Sequence, residues 1–202
     1  MSVYSDKYTW LPLLLVLLFI FFYKVPWKEG LLLIVCSILL GFLCDFVSSE
    51  YIKPFFGRLR PSHHPDFKDM VDVVLGRRGG SFGFISNHAA NGFGIAVLTS
   101  LLFRYWPFTI TIYSWVIVTC YSRIYLGVHF ITDIVGGFVW GTIAGLVVYG
   151  LYYLFRWKVF HIPRNQLSQP VLSPQKAQIS ILAILLTVVY ITIRGLFFQI
   201  TA

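Results

Sequence analysis

Residues 121–137 read YSRIYLGVHFITDIVGG, and they set an arginine, a histidine and an aspartate (Arg123, His129, Asp133) at the joint between two apolar runs. Charges so placed are costly beside hydrocarbon unless they face a cavity, a partner or a ligand. The rest of the chain decides which solvent surrounds them. Of its 202 residues, 57% are hydrophobic, 18% aromatic and only 12% charged, and the mean hydropathy is +0.76. A soluble domain carries about 25% charged residues. These values predict an all-α integral membrane protein that forms one domain over residues 1–202, with the bilayer as its surroundings and no nucleic-acid partner.

A membrane-crossing helix needs roughly 20 mostly apolar residues. Six runs qualify, at about 8–24, 30–50, 84–103, 107–125, 130–155 and 178–199, so a bundle of six transmembrane helices is expected. The first run has only Lys7 before it and no small-x-small cleavage site after it, and it reads as an uncleaved anchor. Short turns around Pro26 and Pro107 make antiparallel hairpins of spans 1 and 2 and of spans 3 and 4. Longer connections follow span 2, as a polar loop over 54–83, and span 5, as a proline-broken loop over 156–177.

Up-and-down topology returns the chain to one face at the end of span 2, the start of span 3, the end of span 4 and the start of span 5. Three polar stretches sit at those places: KPFFGRLRP (Lys53 to Pro61), SNHAANG (Ser86 to Gly92) and SRIYLGVHFITD (Ser122 to Asp133). They are expected to converge. Lys53, Arg60 and Arg123 would bring three cations together, and Ser86 would add a hydroxyl at a helix N-terminus, where free N–H groups favour an anion. Arginine forks suit phosphate oxygens in two-point contacts, and lysine serves as a point charge. Lys53 and Arg60 are seven apart and would share a helix face if the helix continued, although Pro54 opposes that and favours a partly unwound segment.

His129 and Asp133 stand four apart, a spacing at which a carboxylate holds one imidazole N–H and leaves the other nitrogen free to attack phosphorus. His88, two residues after Ser86, could protonate a leaving oxygen. Cations would neutralise the developing charge, so this chemistry calls for no metal or cofactor.

The pattern Lys53-x6-Arg60-Pro61, Ser86-x-His88, Ser122-Arg123-x5-His129-x3-Asp133 resembles the three signature motifs of the type 2 phosphatidic acid phosphatase superfamily. That resemblance implies a membrane lipid phosphatase. It implies that Lys53, Arg60 and Arg123 bind phosphate with help from Ser86, that His88 is the general acid, and that His129 forms a phosphohistidine oriented by Asp133. The second motif reads Ile85-Ser86-Asn87-His88 where the family usually has Pro-Ser-Gly-His. Asn87 thus brings a side chain to the phosphate site, where its amide could donate a hydrogen bond.

Other readings attach to the remaining polar residues. His63 and His64 read as solvated loop histidines rather than metal ligands, because no third ligand stands at helical spacing. Asp66, Asp69 and Asp72 suggest a cation site, but Phe67, Met70, Val71, Val74 and Leu75 fill the complementary face, which favours an amphipathic helix at the mouth of the site. Arg77–Arg78 could attract anionic lipid or cap that helix. Cys36, Cys44 and Cys120 have no metal or disulfide spacing. Gly137, Gly141 and Gly145 continue the His129–Asp133 row at intervals of four and predict close helix packing.

Loop lysines and arginines number seven on the face opposite the motifs and six on the motif face once Lys53, Arg60 and Arg123 are set aside. That count places the site towards the periplasm or exterior of a cell inner (cytoplasmic) membrane, with both termini there. The expected substrate is a lipid phosphate or diphosphate. A polyprenyl diphosphate such as the undecaprenyl carrier leads, and phosphatidylglycerophosphate, phosphatidic acid and the phosphate groups of lipid A stand beside it, with nothing in the sequence to separate them. An anion transporter or channel is the alternative of another class. Oligomeric state is not encoded legibly.

Overall fold

The computed structural model describes residues 11–66, 68–71 and 79–200. These residues are helical, with no strand among them beyond one isolated bridge between Leu59 and Phe82. The helices are α1 (Leu11–Phe22), α2 (Trp27–Phe56), α3 (Asn87–Phe103), α4 (Trp106–Tyr125), α5 (Ile131–Lys158) and α6 (Pro174–Ile200). Short helical turns at Pro61–His63 and Arg164–Leu167 lie in the two long connections.

Three of these helices, Trp27–Phe56, Ile131–Lys158 and Pro174–Gly195, are long and apolar enough to cross a membrane. Their outward faces carry Ile38, Val139, Ile143, Leu182 and Leu185, all exposed. Water-soluble surfaces rarely present apolar area so continuously. These are the features of a membrane protein.

The centre of the fold is the pairing of α3 with α5. α2 packs against both, α4 lies against α3, and α6 joins α4 to α1, which in turn returns to α2. The glycine row explains the central pair. A Cβ at Gly141 would collide with the Ala90 carbonyl oxygen, one at Gly137 would lie 2.7 Å from the Ser86 carbonyl, and one at Gly145 would lie 2.8 Å from the Gly94 carbonyl. Backbone meets backbone along the whole seam. The expected burial of that face is what the structure has, since Gly137, Gly141 and Gly145 are all buried.

α2 is one helical run with two π-helical turns, Phe42–Phe46 and Ser48–Ile52. Each has a local cause. The Leu43 carbonyl accepts a hydrogen bond from Trp140 Nε1 of α5 at 3.0 Å, which diverts it from the helix ladder. Pro54 lacks the N–H that an α-helical turn would use and crowds the preceding carbonyls, so the turn before it widens.

The helix does not continue from Lys53 to Arg60. Gly57 adopts φ 55°, closing α2 with a left-handed residue, a conformation glycine takes without the Cβ clash that penalises other residues. Beyond it the chain is extended, with the Arg60 N–H donating to the Ser81 carbonyl at 3.0 Å and the Gly83 N–H to the Arg58 carbonyl at 2.8 Å. The two ends of the long loop are thereby sewn together beside the helix ends. The amphipathic helix expected over 66–75 and the Arg77–Arg78 pair fall largely outside the described residues, which lack 67 and 72–78.

On the opposite face a second clamp joins α2 to α5. Glu29 is buried, pairs with Arg156 Nε at 3.0 Å and accepts a hydrogen bond from the Tyr152 hydroxyl. α5 is thus held to α3 along its glycine row and to α2 at its far end. Replacing Gly141 by valine should lower the thermal midpoint of the detergent-solubilised protein, with about 1–3 kcal/mol or more lost to overpacking against backbone. Gly150→Val should be tolerated, because a Cβ there meets nothing within 4 Å. Equal midpoints for the two variants would refute the seam as described.

Candidate active site

The C-terminal end of α2, the N-terminal end of α3, the α4–α5 joint and the base of the 57–83 loop meet at one end of the bundle. His88 marks the meeting point, because Arg123, His129, Arg60 and Lys53 all lie within electrostatic reach of it. Those five side chains come from all three of the stretches that the sequence singled out.

His129 and Asp133 are joined as their spacing suggests, with His129 Nδ1 at 3.3 Å from Asp133 Oδ2. The helical reading of the pair needs a correction in detail. α5 begins at Ile131, so His129 lies before the helix while Asp133 occupies its first turn. There the carboxylate performs a second task, accepting the Phe130 N–H at 2.9 Å and so capping the helix. His129 is 3% exposed and Asp133 is 0% exposed.

Arg60 reaches the other side of the imidazole. Its Nη1 lies 3.0 Å from His129 Nε2 and donates to the Val128 carbonyl at 2.9 Å, while Nε donates to the Gly80 carbonyl at 2.7 Å. A guanidinium can only donate. Nε2 must therefore be the acceptor, which leaves the imidazole proton on Nδ1, facing the Asp133 carboxylate. Burial pushes the His129 pKa down from 6.5 to about 4; the Asp133 hydrogen bond opposes this, and the Arg60 and Lys53 charges reinforce it. At neutral pH the imidazole is uncharged, and its lone pair points at the cation cluster.

The cations are imperfectly neutralised. Arg60 and Arg123 are near enough to repel one another, as are Arg60 and Lys53. Arg123 Nε is buried with no hydrogen-bond partner among the described residues. Such a cluster has the chemistry of an anion site, and at its edge lies the α3 N-terminus, where Ser86 is fully buried and its Oγ faces the Ala89 N–H at 3.4 Å. The Ser86 N–H donates to the Asp133 carbonyl at 3.0 Å, tying the start of α3 to the start of α5.

Two features escaped the sequence reading. Arg58 pairs with Asp133 Oδ1 at 3.2 Å and lies over the Phe130 ring, 4.5 Å from its centroid. The arginine two residues before Arg60 was visible, but nothing local showed which carboxylate it would meet. Asn87 directs its amide towards α2, where Nδ2 donates to Asp45 Oδ1 at 2.6 Å and to Ser49 Oγ at 2.8 Å. It borders the cation cluster while its donors are engaged elsewhere.

The other candidates lie apart. His64 Nδ1 is 3.8 Å from Asp66, and His63 Nδ1 faces the Ser62 hydroxyl at 3.2 Å. Among the described residues no three His, Cys, Asp or Glu side chains cluster as metal ligands would. Asp72 is outside those residues. Cys36, Cys44 and Cys120 are buried, unpaired thiols.

Comparison with known proteins shows the family. The PAP2 superfamily model matches residues 29–157, more than half of the chain and the whole of the site, and the chain belongs to that superfamily. It is similar to a lipid A 4'-phosphatase of Porphyromonas gingivalis, with 50% identity over 148 residues, 73% of this chain and 63% of that protein. It is also similar to a lipid A 4'-phosphatase of Bacteroides thetaiotaomicron, 38% identical over 150 residues, 74% of this chain and 67% of the relative. A third relative, phosphatidylglycerophosphatase B of Bacillus subtilis, is 34% identical over 139 residues, 64% of this chain and 61% of its own length. The chain thus spans about two thirds or less of the length of these relatives. No solved structure matches it.

The protonation of His129 is directly measurable. Nitrogen NMR of labelled imidazoles should find Nδ1 protonated and Nε2 bare from pH 8 down to about pH 5, with the second proton arriving as the pH falls towards 4. A midpoint near the ordinary 6.5 would contradict the buried, Arg60-facing geometry.

Proposed function

We propose that the chain is a lipid phosphatase working through a phosphohistidine. The observation that carries this reading is the orientation of His129: Nδ1 is held by Asp133, and Nε2 faces the Arg60 guanidinium, with the Lys53 charge also bearing on the ring. A phosphate ester entering the cluster displaces the Arg60 guanidinium from Nε2 and takes its place between Arg60, Arg123 and Lys53. The Nε2 lone pair attacks phosphorus, forming an N–P bond as the P–O bond to the lipid breaks. His88, open to the cleft, gives its proton to the leaving oxygen. Asp133 stabilises the positive charge that develops on the imidazole, and Arg58 holds Asp133 in register. A water then attacks the phosphohistidine, with His88 now taking the proton, and inorganic phosphate leaves. No step calls for a metal.

The substrate is a phosphate on a membrane lipid, because the site lies where apolar helices end. Among the lipids open from the sequence, a phosphate group of lipid A now stands first, supported by the two lipid A 4'-phosphatases among the relatives. Phosphatidylglycerophosphate follows, and the undecaprenyl carrier comes after both.

In this reading the bundle crosses the bilayer six times as a single domain of an inner membrane, with the site and both termini on the periplasmic side. A C-terminal alkaline phosphatase fusion should be active, and a green fluorescent fusion at the same point dark; the reverse pattern overturns the orientation. For the activity, the purified protein should release phosphate from lipid A in excess chelator. His129→Ala should lower that release by at least 10³-fold and prevent acid-labile phosphate from accumulating on the protein, as expected when a nucleophile is removed. Undiminished release by that variant would refute the mechanism.

A further inference from the structure

Asp45 is a carboxylate on the flank of a membrane-crossing helix, exposed, and bound among the described residues through one oxygen to the Asn87 amide. Ionisable groups at such positions are expensive, and they ordinarily serve a partner or ligand. Its depth can be placed. α2 has 30 residues, about 45 Å at 1.5 Å per residue, against a hydrocarbon core of about 30 Å. If the exposed Trp27 marks the far interface, as tryptophans at span ends do, the core ends roughly 20 residues on, at about residue 47. Asp45 thus lies at the hydrocarbon boundary, and Lys53 lies roughly 12 Å further out.

The side-chain row supports a continuous track between them. Asp45, Ser49 and Lys53 are spaced by four, and the alternation of π-helical and α-helical turns keeps them along one side of α2. The charge of Asp45 reaches Lys53, and the Ser49 hydroxyl and Asp45 share the Asn87 amide. Asp45 lies between exposed Phe42, on its hydrocarbon side, and exposed Phe46, whose rings stack 4.8 Å apart. The order along the helix is thus phosphate-binding cation, hydroxyl, then a carboxylate bracketed by the aromatic pair, with Phe42 beyond it.

We infer that Asp45, with Ser49 and held by Asn87, forms a headgroup subsite for hydroxyl or amide N–H donors carried by the substrate between its phosphate and its acyl chains. The inference rests on the lipid phosphatase reading for the location of the phosphate. A polyprenyl phosphate presents bare hydrocarbon directly behind its phosphate and would leave the carboxylate facing an apolar chain. A phosphate borne on an acylated sugar offers ring hydroxyls and amide N–H groups at that level, and a glycerol headgroup offers a hydroxyl. Asn87 holds the carboxylate in place and fixes its rotamer, a role the glycine usual at this position could not fill.

The test is a ratio of affinities measured with the non-hydrolysing His129→Ala chain in detergent. Binding of lipid A, phosphatidylglycerophosphate and undecaprenyl phosphate is compared before and after adding Asp45→Leu, and again with Asp45→Asn, which keeps an oxygen for the Asn87 bond but removes the charge. The preference for lipid A over undecaprenyl phosphate should fall about tenfold with leucine, the size expected for one hydrogen bond to a charged group, and by a smaller factor with asparagine. A fall confined to lipid A assigns the subsite to a sugar, and a fall for phosphatidylglycerophosphate as well, or instead, assigns it to any donor-bearing headgroup. An unchanged preference, whether all affinities drop together or none does, overturns the subsite, as does a starting chain that binds undecaprenyl phosphate at least as well as the other two. Turnover by the unsubstituted chain is scored separately, so a protein that binds with this preference but releases no phosphate would refute the phosphatase reading and leave the subsite standing.

Discussion

The Asp133 carboxylate is the group on which the site depends. It is fully buried, and a bare carboxylate in that position would be strongly disfavoured. Each oxygen is therefore occupied: Oδ2 by His129 Nδ1 and the Phe130 N–H, Oδ1 by Arg58. One group thus starts helix α5, sets the tautomer of the histidine before it and anchors the loop that carries Arg60. Removing a partner from such a pair costs about 3–5 kcal/mol, and here the loss would fall on fold and site together.

The cations on the other side of His129 are arranged by opposite logic. Asp133 has two N–H groups on Oδ2 and an ion pair with Arg58 on Oδ1, whereas Arg60 repels both Lys53 and Arg123, and Arg123 Nε has no hydrogen-bond partner among the described residues. Such a cluster is tolerable because it lies at the end of the bundle, where an anion can enter. Arg60 rests meanwhile on the lone pair of His129. In the proposed chemistry the same guanidinium serves the free protein as a cover for the nucleophile and the bound state as a clamp on phosphate.

Much of this was legible in the linear chain. The apolar runs located the helices to within a few residues, except that α2 extends to Phe56 rather than ending near residue 50 and α3 starts at Asn87 rather than at 84. Both differences arise at the site. Pro54 is absorbed by a widened turn instead of ending the helix, and α3 starts only at Asn87 because Ser86 is its extended N-cap, with its hydroxyl accepting the Ala89 N–H. The glycine row read as a packing face, and it is one. The pairing of Arg58 with Asp133 and the turning of Asn87 towards Asp45 had no local signal, since each joins residues more than 40 positions apart.

What the sequence determined by itself is therefore what depends on periodicity and solvent preference: an all-helical chain with segments long and apolar enough to cross a membrane, three polar stretches in a fixed order, and a histidine four residues from an aspartate. Those properties reside in runs of neighbouring residues, where hydropathy and spacing act directly. Tertiary structure alone decided which nitrogen of His129 is bare, which arginine holds Asp133 and which covers the imidazole, and where the amide of Asn87 points. Each of these is a choice among several chemically equivalent partners, and the choice is made by which backbones approach one another. Here the approach is set by the glycine seam between α3 and α5, which brings the Ser86 N–H to the Asp133 carbonyl and leaves the remaining groups to pair with whatever that distance allows.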